Sequence, residues 1–153
     1  MSDFDGFGEL KKPIDLVRKL EFDLERINKS PKDQYAAFDF FVTAEHIIDW
    51  ICPDSRKDRE ELRSSSPLLR ITSHIANGAK HFEAKAKHHT SVVGIEKDRY
   101  VEAGYIEEGY FLEPLLLQIS EEEADNLNTE TYIKASWLAN KVLEYWKQSD
   151  KMA

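Results

Sequence analysis

The chain is short of the features that would assign it to several large classes. One cysteine, Cys52, stands in 153 residues, which excludes an internal disulfide framework and a cysteine-rich zinc site. Beside Pro53, at the end of an apolar stretch, it reads as a core residue suited to a reducing compartment. Cations are outnumbered: 21 Lys and Arg against 29 Asp and Glu leave a formal net charge of -8. The average surface therefore repels polyanions, and nucleic acid is disfavoured as a partner except at a local basic patch. No apolar run approaches the length that spans a bilayer, and the opening Met1, Ser2, Asp3, Phe4 and Asp5 lack the basic and apolar regions of a signal peptide. The expectation is a cytoplasmic protein of bacterial type, without a membrane segment. A glycine-rich phosphate loop, a serine nucleophile elbow and an oriented Cys–His pair are all missing, so no cofactor is expected.

What is present is mostly helical patterning. With 41% apolar residues, 1–153 suits one domain, its first dozen residues loosely ordered. Pro13 opens a first helix whose stripe is Ile14, Val17, Leu20, Leu24 and Ile27. Ser30–Pro31 reads as the cap and first turn of a second helix that runs to Cys52 and is apolar on most of its circumference. From Asp54 to Ser66 the text is charged and reads as an exposed connection with marginal helix. Ser66–Pro67 starts helix three, with Leu68, Ile71, Ile75, Ala79 and Phe82 inward and an end near His88; Gly78 suggests close packing on a neighbour. Segments Thr90–Glu96, Gly104–Phe111 and Leu115–Ile119 are short and β-rich, giving a small antiparallel sheet. Ser120 and Glu123 suggest a capping box for a short acidic helix. A closing helix four places Tyr132, Ala135, Ala139, Val142, Leu143 and Trp146 on one side. The fold expected is mainly α, a four-helix bundle with a small antiparallel sheet between helices three and four.

Two helices carry polar residues where surface helices usually put Lys and Glu. On helix two, His46 and Asp49 lie one turn apart on one side, with Trp50 following. On helix three, Arg70, His74, Asn77 and His81 fall within about 60° of one another at 3.6 residues per turn, with Lys80 beside them. Antiparallel packing would join the two strips in one binding pocket of His46, Asp49, Trp50, His74, Asn77, Lys80 and His81. A carboxylate in an apolar helix implies that Asp49 is buried and touched from the Asn77–His81 turn.

Three chemistries fit those residues. Imidazoles and a carboxylate from facing helices can hold a metal, and the candidates are His46, Asp49 and His81. His74 and His81 stand about 10 Å apart along the axis, too far to share one ion, and a second carboxylate-x-x-His is missing, which excludes a di-iron site. A catalytic reading takes His81 as general base with Asn77 and Lys80. The third reading is a hydrogen-bonded network that fixes helix register, with Asp49 accepting from His81 or Lys80.

The run Ala76, Asn77, Gly78, Ala79, Lys80, His81 resembles the motif of the HEPN superfamily, which implies a helical bundle that pairs its motifs across a homodimer and cleaves RNA. Asn77 and His81 match the motif's polar residue and His; Ala76 stands where the family has Arg, which removes the cation that would stabilise phosphorane-like charge. A wider resemblance, from Tyr35 to Lys147, is to a set of bacterial proteins of similar size with no established activity. It rests on His46-x-x-Asp49-Trp50, on Ile75-Ala76-Asn77-x-x-Lys80-His81, on Gly/aromatic strands and on Trp146. Ser73–His74 occupies the place where that set often has Arg–Asp. The resemblance implies an accessory or binding protein; the alternative is an RNase-like or metal-dependent enzyme.

Overall fold

The computed structural model describes residues 6–81, 91–96 and 115–152. Helix α1 (Pro13–Lys29) begins at the proline, and Asp15 accepts from the backbone N–H of both Lys11 and Lys12 at 3.0 Å. Before it, Phe7 and Leu10 exchange backbone hydrogen bonds around Gly8, whose φ of 62° favours glycine. The second helix, α2 (Gln34–Ile51), starts later than expected. Ser30 caps the end of α1, and it is Asp33 that accepts from Tyr35 N and Ala36 N at 2.9 and 3.1 Å. An ionised side chain at this position complements the helix dipole better than a hydroxyl.

The charged connection is a helix, α3 (Arg56–Ser64), contrary to the expectation of a marginal turn. Ser55 Oγ caps it at Asp58 N, and Arg56–Glu60 pairs at i,i+4, so local interactions supply what apolar burial does not. Helix α4 (Pro67–His81) follows, with the Ser66 hydroxyl accepting from Leu68 N; its expected extension to His88 lies outside the described residues. Among the described residues an added Cβ at Gly78 would meet nothing within 4 Å, so they supply no close approach at this glycine.

Among the described residues the sheet has three antiparallel strands in the order β1 (Val92–Glu96), β2 (Leu116–Ile119), β3 (Tyr132–Lys134). The expected strand Gly104–Phe111 lies outside the described residues. Strand β3 comes instead from the segment assigned to the last helix. Asn128, left-handed at φ 56°, ends helix α5 (Glu121–Leu127), and Tyr132 and Ile133 then pair with Gln118 and Leu117. A β-branched residue beside an aromatic fits a half-buried strand, so helix α6 (Ala135–Gln148) begins three residues after Tyr132. Ser120 caps α5 as expected, but the Glu123 carboxylate does not close the box; it bonds Arg70.

The core lies among α1, α2, α4 and α6, with Leu20, Phe40, Ile47, Ile71, Val142 and Trp146 fully buried. Leu117, Ile119 and Ile133 close it from the sheet. Among the described residues no helix is long and apolar enough to cross a membrane.

Candidate functional site

Helix α2 contains three carboxylates and no Lys or Arg, so each must find its cation on another helix. Asp39 takes Arg26 of α1 at 2.8 Å, Glu45 takes Arg63 of α3 at 2.7 Å, and Asp49 stands 3.7 Å from Arg59 of α3. The last two pairs, with Arg59 Nη1 donating to the carbonyls of Cys52 and Pro53, hold α3 across the end of α2.

This arrangement corrects the expectation for Asp49. Its side chain is 52% exposed, and its charged neighbour is Arg59, from the connection rather than from α4. The expectation took α2, apolar on most of its circumference, to be buried, whereas Phe38, on the same arc as Asp49, is 51% exposed. The buried carboxylate lies one turn earlier. Glu45 is 8% exposed; its Oε1 accepts from Arg63 Nε, while Oε2 has no hydrogen-bond partner among the described residues. Ser73 Oγ on α4, also buried, makes no hydrogen bond of good geometry among the described residues, but it lies near enough to Glu45 to favour the ionised carboxylate. Burial pushes the Glu45 carboxyl up to about 7; Arg63 opposes the shift, Asp49 adds to it, and the Ser73 hydroxyl lowers it slightly.

The two polar strips do come together in part. His46 and Asp49 of α2 and Asn77 and Lys80 of α4 line one groove of about 400 Å³, with Glu45 and Arg63 in its wall. Asn77 Nδ2 donates to Ser73 O within its own helix. Ala76, where the resembled motif has Arg, is buried at the groove's edge. The His81 side chain lies outside the described residues, so its candidate roles as base and metal ligand are not placed. Among the described residues no group of three or more His, Cys, Asp or Glu is arranged to hold a metal ion.

The remaining strip residues point elsewhere. His74 Nδ1 accepts from Val92 N at 3.0 Å, tying α4 to β1, and the ring borders a separate, largely apolar cavity of about 760 Å³ with Tyr35, Phe41 and Leu117. Trp50 packs on the core edge. Arg70 forms a two-pronged bond to Glu123, Nε to Oε2 at 2.9 Å and Nη2 to Oε1 at 2.8 Å, and donates Nη1 to Ser64 O. Ser91 and Asn126 complete the Glu123 carboxylate, which is held below its usual range: burial alone would raise it, but Arg70, Asn126 and Ser91 together win.

Sequence reasoning missed Glu45 and Arg63, the two best-buried charged groups of the groove. The available signal was the charge imbalance of α2, whose acids require cations from elsewhere. Comparison with family models, with curated proteins and with solved structures finds no match to the chain.

Proposed function

We propose that this chain is a bacterial-type accessory or binding protein, with a HEPN-like four-helix core, that takes a polar ligand or partner side chain into the groove between α2 and α4. One observation carries the reading: residues of two separate strips, His46 and Asp49 with Asn77 and Lys80, line a single open groove. That groove mixes acceptors at Asp49 and Glu45 with donors at Lys80 and Arg63. Such a mixture suits capture of one polar group by several hydrogen bonds, whereas tracking a polyanion needs a continuous cationic surface. Cytoplasmic residence and pairing as a homodimer belong to the same reading.

The enzyme alternative, RNase-like or metal-dependent, draws support from Glu45, a carboxyl raised to about 7 beside an open groove that also holds His46. Arg63 and Lys80 would then supply the cation that Ala76 does not. Against it, both the missing motif arginine and the net charge of -8 weaken phosphate-charge stabilisation and RNA capture.

The test is a backbone NMR titration of the purified protein with a fragment set of small amines, carboxylates and amides, with zinc chloride, and with a single-stranded RNA oligonucleotide. The binding reading expects fragment-induced shifts at Asn77 and Lys80 that vanish in Lys80→Ala, and RNA recovered intact. Shifts confined to other surfaces would contradict it. RNA cleavage by wild type that disappears in His81→Ala and strengthens in Ala76→Arg would establish the enzyme instead.

A further inference from the structure

Helix α3 meets α4 across a crevice of about 260 Å³, lined by Glu60, Arg63 and Ser64 of α3 and by Arg70 and Ser73 of α4. Two guanidiniums stand in its walls, largely withdrawn from water, with side chains 19% and 30% exposed. Each is anchored by an acid that does not line the crevice, Arg63 through Nε by Glu45 and Arg70 through its Nε and Nη2 fork by Glu123. Arg70 Nη1 also reaches Ser64 O, whereas among the described residues neither terminal nitrogen of Arg63 donates a hydrogen bond. Ser73, 1% exposed, adds a hydroxyl that makes no hydrogen bond of good geometry among the described residues. Glu60, the acid of the lining, is half exposed and already accepts from Arg56 at 3.0 Å. The crevice therefore gathers donors and is short of acceptors.

We propose that this crevice binds a small organic carboxylate, its two oxygens taken by the terminal nitrogens of Arg63 and Arg70 and by the Ser73 hydroxyl. Guanidinium N–H groups withdrawn from water and lacking an acceptor carry a desolvation cost that a charged acceptor removes, and a planar carboxylate matches the guanidinium fork. Ser73 lies near Glu45 without a directed bond, so its proton is free to turn to the ligand. Charge selects a carboxylate over a phosphate. Glu45 and Glu123 already offset the two arginines and Glu60 stands in the lining, so a second negative charge on the ligand meets repulsion without a new cation. Size selects a short molecule, since about 260 Å³ is below the roughly 300–1,000 Å³ of drug-sized pockets. The crevice shares only Arg63 with the α2–α4 groove, and its occupancy does not depend on what the groove binds.

An NMR titration of the intact chain tests it, following the arginine Nε–H signals and the Ser64 and Ser73 amides. Sodium acetate raised to about 100 mM in exchange for sodium chloride, at constant ionic strength and fixed pH, should give saturable shifts at those groups with an apparent Kd of about 1–10 mM. Phosphate, kept as the dianion near pH 8, should bind more weakly, and so should acetyl-alanyl-alanine, which offers the same carboxylate as a peptide C-terminus. Arg63→Lys, which leaves Glu45 a cation, should weaken acetate about tenfold by losing the fork, and Ser73→Ala about threefold. Glu60→Gln, at an exposed position, should tighten it about twofold. A tighter hold on acetyl-alanyl-alanine would assign the crevice to a chain terminus instead. Shifts matched by chloride alone, phosphate binding more tightly than acetate, or acetate affinity unchanged in both Arg63→Lys and Ser73→Ala would overturn the proposal.

Discussion

Glu45 and Glu123 are the same residue type, both nearly closed to solvent at 8% and 4% exposed, each bonded to an arginine, yet their carboxyls move in opposite directions. Desolvation raises both. Two things differ: Glu45 is the more deeply enclosed, so desolvation weighs more on it, and Glu123 has both oxygens in the Arg70 fork and further donors from Ser91 and Asn126, whereas Glu45 has one bond from Arg63 Nε and, among the described residues, no bonded partner on its second oxygen. The first pair ties α4 to α5 and reads as construction. The second, at the wall of an open groove, is poised to exchange a proton. A buried ion pair is thus not one kind of feature, and its enclosure and its hydrogen-bond complement together decide which kind it is.

The largest expected effect is at the satisfied pair. Arg70→Ala strands the Glu123 carboxylate and should cost about 3–5 kcal/mol in urea unfolding; a loss under about 1 kcal/mol would break the contrast, because surface pairs behave that way. Next comes the pH dependence of that pair. With a folded value below its unfolded one, Glu123 adds stability that is present above the ordinary carboxylate range and lost as pH falls through the lowered value. Glu123→Gln should therefore flatten the acid limb of the stability curve, read from melts in acid.

Glu45 has the opposite sign. Its folded value, about 7, exceeds the ordinary 4.5, so its contribution is fully present below about 4.5 and is lost as pH rises through about 7. Glu45→Gln should leave stability within about 1 kcal/mol of wild type near pH 6 and make the variant the more stable of the two near pH 8. A variant less stable at both would make Glu45 a second Glu123. The smallest effect belongs to Asp49: exposed and 3.7 Å from Arg59, it should change stability by less than about 0.5 kcal/mol on Asp49→Ala. That is well below the 1–3 kcal/mol a buried, satisfied network would have implied.

Much of the fold is written in local chemistry. The α1 stripe, the Ser66–Pro67 start, the Ser120 cap and the inward face of α6 all follow from spacing and capping residues, and the structure has each of them. What spacing could not supply was partner choice between distant segments. Asp49 and Glu45 are one turn apart on one helix, and only the path of α3 decides which is covered. Ser55 and the Arg56–Glu60 pair show that α3 could form, but its apolar content gave no reason for it to dock; the reason is the unpaired acid of α2. Likewise the polar strip of α4 looked continuous from Arg70 to His81, yet Arg70 and His74 turn to α5 and β1 while Asn77 and Lys80 turn to the groove. A helical period fixes a face; it does not say which neighbours will share it.

The most direct measurement is an NMR titration of side-chain carboxyl carbons, with Glu45→Gln and Glu123→Gln identifying the two signals. The account predicts that Glu45 titrates at about 7 and Glu123 below the usual carboxylate range. Glu45 and Glu123 titrating together, at or below the ordinary value, would contradict it.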